Sequence, residues 1–395
     1  MPRAAPTTPS RRATLSDEQR LDWLMLIRSD NVGPATFRDL IGHFGTAAAA
    51  LEALPELAKR GGSAARIRIA SRRDALAELE AAARLGARFV AMSEAEYPAL
   101  MRGLDNPPPL LCVKGEASIL PRRSVGIVGS RNASISGQKL ASRFARELGE
   151  AGNCIVSGMA RGIDAAAHRA ALASGTVAVL AGGVDIPFPP EHAGLAAEIV
   201  SAGGALVSEM PVGWKPRAID FPRRNRIIAG LSLGVIVVEA AKRSGSLITA
   251  RLAGENGRGV FAVPGSPLDP RAEGANHLIR QGATLVTSTQ DVIEALEPMD
   301  GRQPRLPLDM GEPGDAAYQS HATPGEASGD LRQSIVDALG PSPCEIDDII
   351  RFTGASAGEV QLVLLELSLA GRLERHGGNR VSIQPPSKEA GNLQA

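Results

Sequence analysis

The chain has 395 residues, 44% of them apolar and 22% charged, with 43 basic side chains against 43 acidic ones. That length and balance give a chain that buries a sizeable core in two or three domains, and they exclude a disordered or collagen-like protein. The three cysteines, Cys112, Cys154 and Cys344, are odd in number, far apart and outside any CxxC spacing, so neither a disulfide framework nor a zinc site follows.

Residues 1–14 are rich in Pro, Thr and Arg, lack an apolar period and read as a disordered leader. The leader has no apolar signal region, and the most apolar later run, Leu231 to Val238, is too short to span a bilayer. A cytoplasmic protein with no membrane partner is expected, its cysteines kept as thiols.

Residues 15–85 form a helical domain. Ser16 is placed to cap a first helix carrying Leu21, Leu24 and Met25, and Gly33-Pro34 breaks one helix and starts another. Helix, glycine turn, helix fits a helix-hairpin-helix or SAM-like module presenting amides to phosphate, and equally a small helical packing domain.

From residue 86 the period changes. ARFVAM and PLLCVKG are short strands around a proline-rich connector, and after Pro121 short apolar runs alternate with helical stretches of ten residues or more. Such alternation predicts an α/β fold, an extended Rossmann-like domain over 86–297 with a parallel sheet covered on both faces. Residues 298–328, rich in Pro, Gly and acids, read as a linker. Three helical patterns and a hairpin turning at Gly377-Gly378 then predict a winged-helix-like domain over 329–384, and 385–395 is a polar tail.

Ligands of open parallel sheets bind beyond the carboxyl ends of the strands, and four loops there carry phosphate chemistry. The first, Gly129-Ser130-Arg131, offers small residues with exposed amides and a charged fork, without a GxGxxG fingerprint. In the second, Ser157 to Gly162, the acid that would hold a dinucleotide ribose is missing and Arg161 stands near its place, which disfavours NAD. Asp164 and His168 in the following helix read as an N-cap and a surface or packing histidine. The third, FPRRNRIIAGLS, sets Phe221 before Arg223, Arg224, Asn225 and Arg226, the aromatic-plus-cation pattern of single-stranded nucleic acid binding; Phe221 as a core residue, and one or two of the arginines as surface pairs, are the plain alternatives. The fourth places Lys242 ahead of Ser244, Gly245 and Ser246 at a helix start, where a serine can instead be only the N-cap.

Net charge conceals this clustering. Residues 121–299 carry 19 basic and 15 acidic groups, whereas 300–395 carry 8 and 14. The third winged-helix helix, AGEVQLVLLELSLAG, offers only Gln361 among the amide and basic side chains a DNA reader needs. A protein-contact or packing role is expected for that domain.

In this order, GIVGSR, SGMARGIDAAAH, FPRRNRIIAGLS, SGSLITARLAGENGRGVFAVPG and GANHLIRQGA resemble the DNA processing protein A (DprA, or Smf) family over about 95–297. The resemblance implies a non-enzymatic cytosolic protein of natural transformation that binds and protects incoming single-stranded DNA, loads the RecA recombinase onto it, and forms a homodimer through the Rossmann-like domain. Carried over motif by motif, its DNA pocket uses Gly129, Ser130, Arg131, Arg161, Phe221, Arg223, Asn225, Arg226, Lys242, Ser244, Gly245 and Ser246, with Arg224 held apart as lying outside the core of its motif. No cofactor, metal or catalytic residue is implied.

Two other readings compete. The sheet and loops also resemble nucleotide phosphoribohydrolases, but the stretch comparable to their PGGxGTxxE motif lacks the glutamate that does the acid–base work, leaving Glu209 and Glu239 as the nearby substitutes. A protein-docking adaptor with no ligand is the third. The GANHLIRQGA segment is the candidate dimer surface.

Overall fold

The computed structural model describes residues 14–62, 67–300 and 329–384, with backbone alone for 298–300. Almost all of the leader, most of the linker and the whole polar tail lie outside the described residues. In chain order the elements begin with helices α1 (Asp17–Arg28), α2 (Pro34–Phe44), α3 (Ala47–Arg60) and α4 (Arg72–Arg84). Strand β1 (Ala87–Ala91), the short α5 (Ala99–Arg102) and β2 (Leu110–Gly115) follow. The alternating part is β3 (Ser124–Gly129), α6 (Ile135–Glu150), β4 (Cys154–Ser157), α7 (Ile163–Ala170), β5 (Thr176–Val179), α8 (Ala193–Ser201), β6 (Ala205–Ser208), α9 (Asp220–Leu231), β7 (Gly234–Val238), α10 (Gly245–Glu255), β8 (Gly259–Ala262), α11 (Glu273–Arg280), β9 (Thr284–Leu285) and α12 (Thr289–Asp300). Helix α13 (Gly329–Ala338), β10 (Cys344–Glu345), α14 (Ile346–Thr353), α15 (Ala357–Leu369), β11 (Leu373–His376) and β12 (Arg380–Ile383) complete it.

These elements form two compact units. One holds the sheet, from Leu76 onward; the other combines Ser16–Ala75 with the C-terminal segment, so the first and last modules of the sequence fold as one body, and α4 runs from one unit into the other.

In the first unit nine strands lie in the order β1-β2-β6-β5-β4-β3-β7-β8-β9, parallel except where β1 meets β2 and β2 meets β6. The inner strands β4, β5, β6 and β7 are buried along their whole length, which is why they read as unbroken apolar runs. Val125, Ile127, Phe144, Leu148, Ile155, Ile236 and Phe261 are core residues of the layer under α6 and α7. Strand β3 pairs with β4 on one side and β7 on the other, so the order reverses there and leaves a crevice at the carboxyl ends of β3 and β7.

His168 is the packing alternative: fully buried, its Nδ1 lies 2.7 Å from Thr176 Oγ1, and burial pushes its pKa down to about 3. Asp164 is a correction. Gly162 stands at the N-cap of α7 and Asp164 lies inside the helix, where its carboxylate accepts from Gly158 N and Ala160 N at 3.2 Å each. It ties down the loop before the helix rather than capping it.

In the second unit Ser16 forms a capping box with Gln19 on α1, Pro34 opens α2, and Trp23 meets Phe37 edge to face at 5.0 Å. One face of α15 supplies Val360, Val363, Leu364 and Leu367 to the winged-helix core. Its other face, Leu362, Leu365, Glu366 and Leu369, is buried too, as a helix apolar all round requires. Helices α2 and α3 cover it: Asn31 Nδ2 donates to Leu369 O at 2.9 Å, Arg372 Nη1 to Gly61 O at 3.1 Å, and Arg375 pairs with Asp39 at 2.6 Å. The helix that would enter a major groove is therefore spent inside the protein.

Arg375→Asp sets two half-buried carboxylates face to face and is expected to destabilise this unit by about 2 kcal/mol, with Asp39→Arg added in the same chain recovering most of it. A double-mutant cycle in denaturant checks this, and additive losses would show that the pair does not hold the modules together.

Candidate nucleic-acid interface

The crevice at the ends of β3 and β7 opens into a cleft of about 870 Å³. All four loops contribute to its walls, the second through Ala160 alone, and a smaller cavity of about 190 Å³ adjoins at that second loop.

From the first loop, Gly129, Ser130 and Arg131 line the cleft. Ser130 Oγ accepts from Asn132 N at 3.2 Å, which folds the turn, and exposed Arg131 lays its guanidinium 5.5 Å from the centroid of the Phe221 ring, within cation–π range. The third motif is not a loop but the first turns of α9. Half-buried Phe221 stands edge to face with Phe188 at 5.5 Å, so one side of the cleft is aromatic and its mouth cationic. From the fourth loop, Ser244 caps α10: its Oγ accepts from Ser246 N at 3.3 Å and lies 2.7 Å from Ser246 Oγ. Asn225 Nδ2 donates to Gly245 O at 3.2 Å and ties α9 to this turn.

Arg224 lies deepest. It is buried, donates from Nη1 to Val179 O at 3.1 Å, and faces Asp164 closely enough that each charge eases the other's burial. Burial still outweighs that attraction, holding the Asp164 carboxyl above its usual range and bringing Arg224 down to about 10. Gly158 has no side chain because a Cβ there would occupy the guanidinium's place.

The structure thus gathers Gly129, Ser130, Arg131, Phe221, Asn225, Ser244, Gly245 and Ser246 in one cleft, with Arg224, Phe188 and Arg243 joining them. It does not bring in four others. Arg161 lines the adjoining cavity and pairs with Glu191. Arg226, one-fifth exposed, pairs with Glu209 and donates to Asn106 O at 2.8 Å, which gives it a bracing position. Arg223 is exposed outside the lining. Lys242, also exposed, lies 3.6 Å from Glu273. Phe188 and Arg243 had signals in the sequence: an aromatic after strand β5 and a second cation beside Lys242.

The charge of the cleft is unbalanced. Arg131, Arg224 and Arg243 line it against one acid, Asp164, whose oxygens face Arg224 and two amides. The two substitute carboxylates are also taken: Glu209 by Arg226, and Glu239 by the start of α6, where it accepts from Ser134 N at 2.8 Å and from Ser134 Oγ. Gly137 leaves room for Glu239, whose carboxyl carbon would lie 2.6 Å from a Cβ there. The amino terminus of α6, where a dinucleotide fold holds its pyrophosphate, is filled by the chain's own anion.

No described helix is long and apolar enough to cross a membrane. Comparison with known proteins matches residues 88–297 to the family model for DNA recombination-mediator protein A, 17–81 to a DprA-like N-terminal HHH domain and 319–379 to a DprA winged helix domain. Protein Smf of Escherichia coli K12 is 40% identical over 291 residues, 73% of this chain and 75% of that one. DNA processing protein DprA of Streptococcus pneumoniae is 46% identical over 203 residues, 51% and 71% of the two chains. The X-ray structure of DprA from Streptococcus pneumoniae superposes with a TM-score of 0.57 at 35% identity, covering 70% of this chain and 95% of that one. The chain belongs to the DNA recombination-mediator protein A family, the DprA/Smf proteins, and with it to the DNA-processing mediators of recombination.

Proposed function

We propose that the cleft binds single-stranded DNA without turnover. The observation that carries this is the meeting, in one open crevice, of the Phe221–Phe188 ring pair with three guanidiniums and the amino terminus of α10. A base unstacked from its neighbours lies against Phe221 beside Arg131, and its phosphate takes Arg131, Arg243 and the Gly245 amide at the start of α10. A duplex keeps its bases stacked inside and offers nothing to the rings. Family membership supports the wider role: protecting DNA taken up in natural transformation, loading RecA onto it, and acting in the cytoplasm as a homodimer through the Rossmann-like domain.

The engagement of Glu209 and Glu239 supports a binding protein over a phosphoribohydrolase, since a general acid or base must reach the substrate. The test is a salt series with oligothymidylate and no nucleotide present: log K should fall by roughly 0.7 per neutralised phosphate for each tenfold rise in salt. A flat salt response, or release of free base from any nucleoside monophosphate, would overturn the reading.

A further inference from the structure

Beside the cleft, a second aromatic–cation pair has the form of a stacking platform. The segment between β6 and α9 is pinned to the turn after β5: Gly183 N donates to Trp214 O at 2.9 Å and Gly213 N to Asp185 Oδ1 at 2.8 Å. Pro216 and Ala218 of this segment line the cleft. Asp220, whose side chain is fully buried, holds the parts together, its Oδ2 accepting from Trp214 Nε1 and from Arg217 N, each at 2.9 Å, and from Arg217 Nε at 3.4 Å. The Arg217 guanidinium is thereby laid 4.5 Å from the Trp214 ring centroid, while its side chain stays 60% exposed.

An exposed arginine paired three residues along contributes little to stability, so bracing alone does not account for a guanidinium held by an aromatic plane beneath and a buried carboxylate at its edge. What the arrangement supplies is a fixed, flat, cationic surface open on its outer face, of the kind on which an unstacked base lies. Asp220 is followed directly by Phe221, so the platform and the cleft ring stand at the two ends of one rigid connection. Exposed Lys215 adds a cation on the same segment.

We propose that Trp214 and Arg217 form a second nucleotide subsite, where the base next to the one held at Phe221 stacks on the Arg217 guanidinium. The inference rests on the single-strand reading of the cleft. The chain has two tryptophans, and the other, Trp23, is 1% exposed in the other unit, so the difference in emission between the unmodified chain and its Trp214→Phe variant reports on the platform.

The experiment titrates both proteins with oligothymidylates of one to six nucleotides, following anisotropy and emission, and repeats the affinities with Arg217→Ala and Arg217→Lys. The expected result is an affinity step of about tenfold once a second base is present, a change in Trp214 emission at that same length, and loss of the step in both Arg217 variants, because lysine keeps the charge but not the plane. Retention of the step in Arg217→Lys, or emission unchanged at saturation, would overturn the platform while leaving the cleft standing. Failure of every oligonucleotide to bind the unmodified chain would remove the cleft reading, and the platform with it.

Discussion

Replacing Arg224 with alanine is expected to lower the stability of the sheet unit by about 3 kcal/mol, the scale of removing one partner from a buried charge pair. Asp164 is buried and shares its surroundings with this guanidinium, so the variant leaves a buried carboxylate with two amides and only the weaker attraction of exposed Arg131. The cavity left under the second loop adds to the loss. Arg224→Met keeps much of the stem's packing and should recover part of the loss but none of the charge. Gly158→Ala should resemble Arg224→Ala, because its methyl group needs the space Arg224 Nη1 occupies. Denaturant unfolding of the three variants checks this, and a loss below about 1 kcal/mol in Arg224→Ala would show that Asp164 does not depend on the arginine. Oligonucleotide affinity should fall in the same variants, since the deepest cation of the cleft is gone.

Phe221→Ala is expected to cost about 1–3 kcal/mol of single-strand affinity, the range for losing one stacked base. Stability should change less, because the ring is only half-buried and meets Phe188 by an edge. Phe221→Leu separates the contributions: leucine retains apolar area but no π face for a base or for Arg131, so it should bind nearly as poorly as alanine, whereas Phe221→Tyr should bind as the parent does. Competition against a labelled oligonucleotide at fixed salt measures all three. Equal affinity of the leucine variant and the parent would make Phe221 a packing residue.

The sheet was legible because its inner strands are buried on both faces and show as unbroken apolar runs, and because each is followed by a helix. The four loops were legible as a group because the carboxyl ends of parallel strands converge, so chemistry that recurs at those ends gathers in space. Individual side chains were less so. Nothing local separates Arg226, drawn away by Glu209, from Arg224, which reaches Val179 and faces Asp164; the helix phase that turns one inward and the other aside is set by packing of α9 against the sheet. The role of Asp164 was misread because its partners, Gly158 N and Ala160 N, precede the helix rather than belong to its first turn. The union of the terminal modules had a visible trace in α15: a helix with leucines on every face and hardly a donor to spare needs a cover on both sides, but the sequence does not say that α2 and α3 provide it. That burial also gives a physical reason for the lack of basic side chains on the helix.

The most direct test of the account is fluorescence anisotropy of a labelled single-stranded oligonucleotide and of its duplex, with the parent chain and Arg131→Ala, across a salt series. Tight, salt-sensitive binding that prefers the single strand is expected, weakened at least tenfold in Arg131→Ala because the Arg131 guanidinium spans the Phe221 ring and the mouth of the cleft. Equal affinity for strand and duplex, or binding indifferent to Arg131, would contradict it.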